Sequence, residues 1–127
     1  PAPAVDHALS RTPFPEEPIK EAASEAGWPC QRADDIWEDS VVINDIVALI
    51  SRSEVVICDF TGRNANVLYE AGIAHTLGRE VIPITQSRSD IPFDISSNRY
   101  LEYIPNPEGL ANLKQSLHRR LKTVLRA

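Results

Sequence analysis

The sequence is short of almost everything that marks a function at first sight. No apolar run approaches the roughly 18 residues of a membrane span, and no signal peptide is visible, so neither insertion nor export is expected. The two cysteines, Cys30 and Cys58, lie in strand-like runs where a buried thiol is the expected state, and a cytoplasmic compartment fits them. The three histidines, His7, His75 and His118, have no neighbours at ligand spacing, so no metal site is expected. Positive charge is scarce too: 13 Lys and Arg against 18 Asp and Glu give a net charge of −5 and a pI near 5.1. A nucleic-acid polymer or an acidic membrane is a poor partner for such a chain. A single nucleotide is not excluded, because a few backbone N–H groups and one or two cations suffice to hold it. The phosphate-binding spacings GxxxxGK[ST] and GxGxxG are absent, as are internal repeats and low-complexity stretches.

What is present is an alternation of helix and strand patterns. Residues 14 to 26 read as a helix with Pro15 and Pro18 near its start, Glu16 and Glu17 at the positive end of its dipole, and Gly27 as its stop. Residues 28 to 33, WPCQRA, are a short strand candidate, in which Pro29 argues for a strand start or an edge. Ser40 caps an amphipathic helix with Val42, Ile46, Leu49 and Ile50 on one face. Residues 54 to 59 are a strand whose unbroken apolar run implies burial on both faces. A helix from about Asn66 to Leu77 stops at Gly78, residues 80 to 85 form another buried strand, and residues 86 to 98 a polar loop. Residues 100 to 104 make a last short strand, and residues 107 to 125 a closing helix with Leu110, Leu113, Leu117, Leu121 and Val124 at helical spacing. This is the pattern of an α/β domain with a parallel sheet of four to five strands and helices on both faces. The domain is expected over residues 14 to 127. Residues 1 to 13, PAPAVDHALSRTP, hold no convincing strand and are expected to be irregular.

In an open parallel sheet, ligands bind beyond the carboxyl ends of the strands. The second strand is followed there by Asp34 and Asp35, the third by Asp59, Thr61, Gly62, Arg63, Asn64 and Asn66, and the fourth by Gln86. Acidic and amide side chains with one arginine suit sugar hydroxyls and a base edge, and these residues are the candidate substrate-binding set. Glu70 is the anomaly. It stands among Val67, Leu68, Tyr69, Ala71 and Ile73, where a carboxylate is costly unless it is partnered or used. Asp59 and Glu70 are expected to face one crevice, where two carboxylates can divide the work of attack on an anomeric carbon and proton transfer. For each the plainer role is structural: a turn or capping carboxylate for Asp59, a dipole-favoured helix residue for Glu70. Trp28 is expected in the core, and His75 in local packing.

The stretch DFTGRNANVLYEAGIAHTLGREVIPIT, together with RADDIWEDS at 32 to 40 and DIPFDI at 90 to 95, resembles the nucleoside 2-deoxyribosyltransferase-like superfamily and bacterial TIR-like nucleotide-binding domains. The resemblance spans about residues 14 to 122 and implies a flavodoxin-like three-layer sandwich. It implies that Glu70, within Tyr69-Glu70-Ala71-Gly72, is the nucleophile of a covalent glycosyl-enzyme, and that Asp59 matches the aspartate ending the preceding strand. The implied substrates are a nucleoside, a nucleotide or NAD, with no cofactor beyond NAD as a substrate. A homo-oligomer is implied as well, because those transferases complete their site from a neighbouring subunit. Family members begin with an apolar central strand, and here that strand is expected to be missing or replaced poorly by Val5 to Leu9. Two functional expectations stay open: cleavage or transfer at an N-glycosidic bond, or a non-catalytic nucleotide-sensing or TIR-like signalling and interaction module.

Overall fold

The computed structural model describes residues 4–8, 15–32, 43–92 and 100–124. Strands β1 (Ala4–Ala8), β2 (Cys30–Arg32), β3 (Ser53–Asp59), β4 (Glu80–Thr85) and β5 (Leu101–Glu102) form one sheet in the order β2-β1-β3-β4-β5. Every neighbouring pair is parallel, which is the doubly wound order of flavodoxin-like domains. Helices α1 (Glu16–Glu25), α2 (Ile43–Arg52), α3 (Ala65–Thr76) and α4 (Pro107–Val124) supply the crossovers.

The first strand corrects an expectation. Residues 4 to 8 are neither missing nor irregular: they fill the middle of the sheet, pairing Val5 with Cys30 on one side and with Val55 on the other. The segment AVDHA lacks a long apolar run, but a central strand is held by backbone ladders along both edges, and these depend little on side-chain type. The domain therefore begins within the segment expected to lie outside it. The edge position of β2 agrees with Pro29 immediately before it.

Strand periodicity sorts the core into two layers. Val55 and Ile57 of β3 with Ile82 and Ile84 of β4 pack against Ile19, Ala22 and Ala23 of α1 and Leu113, Leu117 and Leu121 of α4. Val56, Cys58 and Phe60 with Val81 pack against Ile46, Leu49 and Ile50 of α2 and Val67, Ala71 and Ala74 of α3. Trp28 lies at the margin of the first cluster, in the core role expected of it. Cys58 is buried and Cys30 partly so, and neither forms a disulfide. Gly109 shows how closely α4 approaches the chain before it, since a Cβ there would fall 2.0 Å from the Ile104 carbonyl oxygen. Among the described residues no helix is long and apolar enough to cross a membrane.

Candidate functional site

The carboxyl ends of β3, β4 and β5 meet in a closed ring of hydrogen bonds. Asp59 Oδ1 accepts from the Thr61 backbone N–H at 3.0 Å and from the Thr61 hydroxyl at 2.6 Å. Its Oδ2 accepts from the Tyr103 hydroxyl at 2.6 Å. Gln86 closes the ring from the far side, its backbone N–H donating to Thr61 Oγ1 at 2.9 Å and its Nε2 to the Tyr103 oxygen at 3.2 Å. Each hydroxyl donates to Asp59 and accepts from Gln86, so both hydroxyls and both Asp59 oxygens are satisfied within the protein. Burial pushes the Asp59 carboxyl above the ordinary aspartate range, against the pull of the Thr61 and Tyr103 hydrogen bonds. The Tyr103 hydroxyl is raised as well, first by burial and then by the adjacent Asp59 charge.

The turn after Asp59 is fastened separately. Gly62 has φ 76° and Arg63 φ 55°, two successive left-handed residues, and only the first is free of a Cβ penalty. The loop after β4 holds them in place. Asp90 Oδ2 accepts from the Gly62 N–H at 2.9 Å, and Asp90 Oδ1 lies 3.6 Å from Arg63 Nε. Arg63 Nη2 donates to the Ser89 carbonyl at 2.7 Å. Asn64 then caps α3, its Oδ1 accepting from the N–H groups of Asn66 at 2.8 Å and Val67 at 3.4 Å.

Glu70 lies on the inner stripe of α3. The buried residues of that helix are Val67, Glu70, Ala71 and Ala74, spaced at i, i+3, i+4 and i+7, and Glu70 is 1% exposed. A half-exposed, dipole-favoured glutamate is thereby ruled out. Asp59 is likewise 0% exposed, but it belongs to the other side of the sheet. It follows Val55 and Ile57 in the strand alternation and bonds to Tyr103, a member of the cluster under α1 and α4. Glu70 lies over the cluster of Val56, Cys58 and Phe60. The two acids thus associate with different layers of the core. A run buried on both faces conceals this, because only strict alternation assigns its last residue to a side.

The candidate residues accordingly fall into separate groups. Asp59, Thr61 and Gln86 share the ring, and Gly62 and Arg63 are engaged by Asp90 and Ser89. Asn64 is a cap, Asn66 is exposed in the first turn of α3, and Glu70 is buried under the helix. Asp34 and Asp35 lie outside the described residues, as do Ser40 and Trp37. Tyr103 and Asp90 are the participants that sequence reasoning overlooked. Tyr103 is remote in sequence from the residue it binds, while Asp90 opens the DIPFDI segment and had a visible signal there. Among the described residues no group of His, Cys, Asp or Glu is placed to hold a metal ion.

No family model matches the sequence, and no curated protein matches it. Solved structures do match. The fold is flavodoxin-like. A diflavin flavoprotein A3 from Nostoc sp. superposes with a TM-score of 0.70 at 10% identity, over 98% of this chain and 94% of that one. A transiently phosphorylated switch of bacterial signal transduction superposes with a TM-score of 0.56 at 15% identity, over 98% and 99% of the two chains. At such identities the likeness extends to architecture and not to chemistry.

Proposed function

We propose that this domain binds a nucleoside, nucleotide or NAD and cleaves or transfers at its N-glycosidic bond, with Glu70 as the nucleophile. One observation carries the reading: a glutamate on the sheet-facing stripe of α3, 1% exposed, among residues that are otherwise apolar. Burying a carboxylate costs free energy unless it is partnered or used, and this one we read as used. In the reaction the Glu70 carboxylate forms a bond to the anomeric carbon. The base departs with the electron pair of the glycosidic bond and takes up a proton. Water or a second base then releases the sugar from the ester. The resemblance of Tyr69-Glu70-Ala71-Gly72 to the deoxyribosyltransferase-like helix supports the same assignment. Asp59 serves as a positioning residue in this scheme, since both of its oxygens are committed to the ring that shapes the Thr61–Asn64 turn. A cytoplasmic location is part of the reading.

The burial of Glu70 also favours a second reading, a module that senses a nucleotide without turning it over. A panel of nucleosides, deoxynucleosides and NAD assayed for base release separates the two. Turnover that drops at least a thousandfold in Glu70→Gln, with the unfolding midpoint held within a few degrees, supports the nucleophile. An unchanged rate in that variant overturns it. A ligand-induced rise in melting temperature with no product assigns the sensing module instead.

A further inference from the structure

Glu70 is 1% exposed, so a ligand reaches it only if some part of its layer lifts. Residues 87 to 91, between β4 and the rest of the chain, are lightly held there. Helices α2 and α3 each sink three apolar side chains into the cluster of Val56, Cys58 and Phe60, whereas this segment sinks one, Ile91. Its ties to the turn before α3 are polar and lie at the surface. Asp90 accepts from the Gly62 N–H at 2.9 Å, Arg63 donates to the Ser89 carbonyl at 2.7 Å, and the Asp90 and Arg63 charges stand 3.6 Å apart. Among the described residues Arg63 is the one non-glycine residue in the left-handed region, at φ 55°. The closed form is therefore strained at the residue that the segment grips.

We propose that residues 87 to 91 are a lid latched shut over the layer that holds Glu70, with Asp90 as the latch and Ile91 as the plug. The plug joins the cluster of Val67 and Ala71, which neighbour Glu70 on the inner stripe of α3. When Asp90 lets go, water takes its place on the Gly62 N–H and the Arg63 guanidinium, an exchange that costs little at the surface. Arg63 can then leave the left-handed region, so the strain in the turn favours opening. Ile91 follows, since no second apolar side chain of the lid is buried with it. A ligand that binds only the open form gains apparent affinity when the latch is weakened. Control of access to Glu70 rests on the reading above; the movement of the lid does not.

Cys58, 0% exposed in the same cluster and one residue from the carboxyl end of β3, is a native reporter of opening. Its reaction with a small thiol reagent, followed in a Cys30→Ser background at rising denaturant below the transition, tests the lid without any substrate. Wild type should label through an opening that depends little on denaturant, as a local movement does. Asp90→Ala should label about tenfold faster or more, with the same weak dependence. Asp90→Asn, which keeps the shape and loses the charge, should label faster by a smaller factor. Lys114→Ala on the opposite layer should leave the rate unchanged. Labelling of wild type only through global unfolding, at a rate that climbs steeply with denaturant, overturns the proposal. So does an Asp90→Ala protein that labels at the wild-type rate or, should that variant fail to fold, an Asp90→Asn protein that does. Fast labelling in a variant that neither binds nor turns over a nucleotide supports the lid and counts against the reading of Glu70.

Discussion

The two helical layers bury similar apolar material and show solvent opposite surfaces. The layer of α1 and α4 is covered with ion pairs: Lys20 with Glu16, and Lys114 with Glu21 and Glu25 at 3.7 and 2.7 Å. The layer of α2 and α3 presents leucine, tyrosine and glycine along α3 and turns that helix's one carboxylate inward. A helix that serves only to cover a sheet is amphipathic, with charge outward. The first layer and α2, with Asp45 and Arg52 outward, follow that rule, while the outer face of α3 does not.

The largest effect that would test this contrast lies in the first layer. Leu117→Ala, at a fully buried position of α4, should cost about 2–5 kcal/mol in denaturant unfolding. Asp59→Ala comes next, at about 2–4 kcal/mol, because it strands the Thr61 N–H, the Thr61 hydroxyl and the Tyr103 hydroxyl in a dry site. The same residue gives a pH signature. Its folded carboxyl is raised above the ordinary value of 3.8, so its contribution to stability is present below that value and is lost as pH rises through the folded one. The stability of wild type relative to Asp59→Asn should therefore fall as pH climbs from about 3 towards neutrality, and a difference that is flat with pH would refute the assignment. Asn64→Ala removes the α3 cap and should cost about 1 kcal/mol by the same measurement. Lys114→Ala, at the exposed ion pairs, should leave the midpoint unmoved at any salt concentration.

Much of the architecture was legible because β3 and β4 are unbroken apolar runs and α4 repeats leucine at helical spacing. The strand AVDHA is not legible in the sequence because its place comes from ladders with β2 and β3, and a backbone ladder leaves little trace in residue type. The candidate site was legible in outline and not in detail. A buried carboxylate on α3 follows from the apolar neighbours of Glu70. The side of the sheet that Asp59 faces does not, because Val55 to Cys58 are apolar at every position. Tyr103 lies 44 residues beyond Asp59, a separation at which no local pattern announces a hydrogen bond. The residue type of Asn64 suits a sugar hydroxyl, but its side-chain oxygen accepts from the two N–H groups that follow it.

The strand order carries one further consequence, for the way the molecule opens. Among the described residues β2 pairs with no strand except β1, and β1 is only five residues long. Any fluctuation that frees β1 frees β2 with it, so the edge strand's amides cannot exchange more slowly than the opening of β1 permits. Ser53–Asp59 and Glu80–Thr85 have each other as neighbours and escape that ceiling. Protection from deuterium should therefore step down across the sheet at the boundary between β3 and β1.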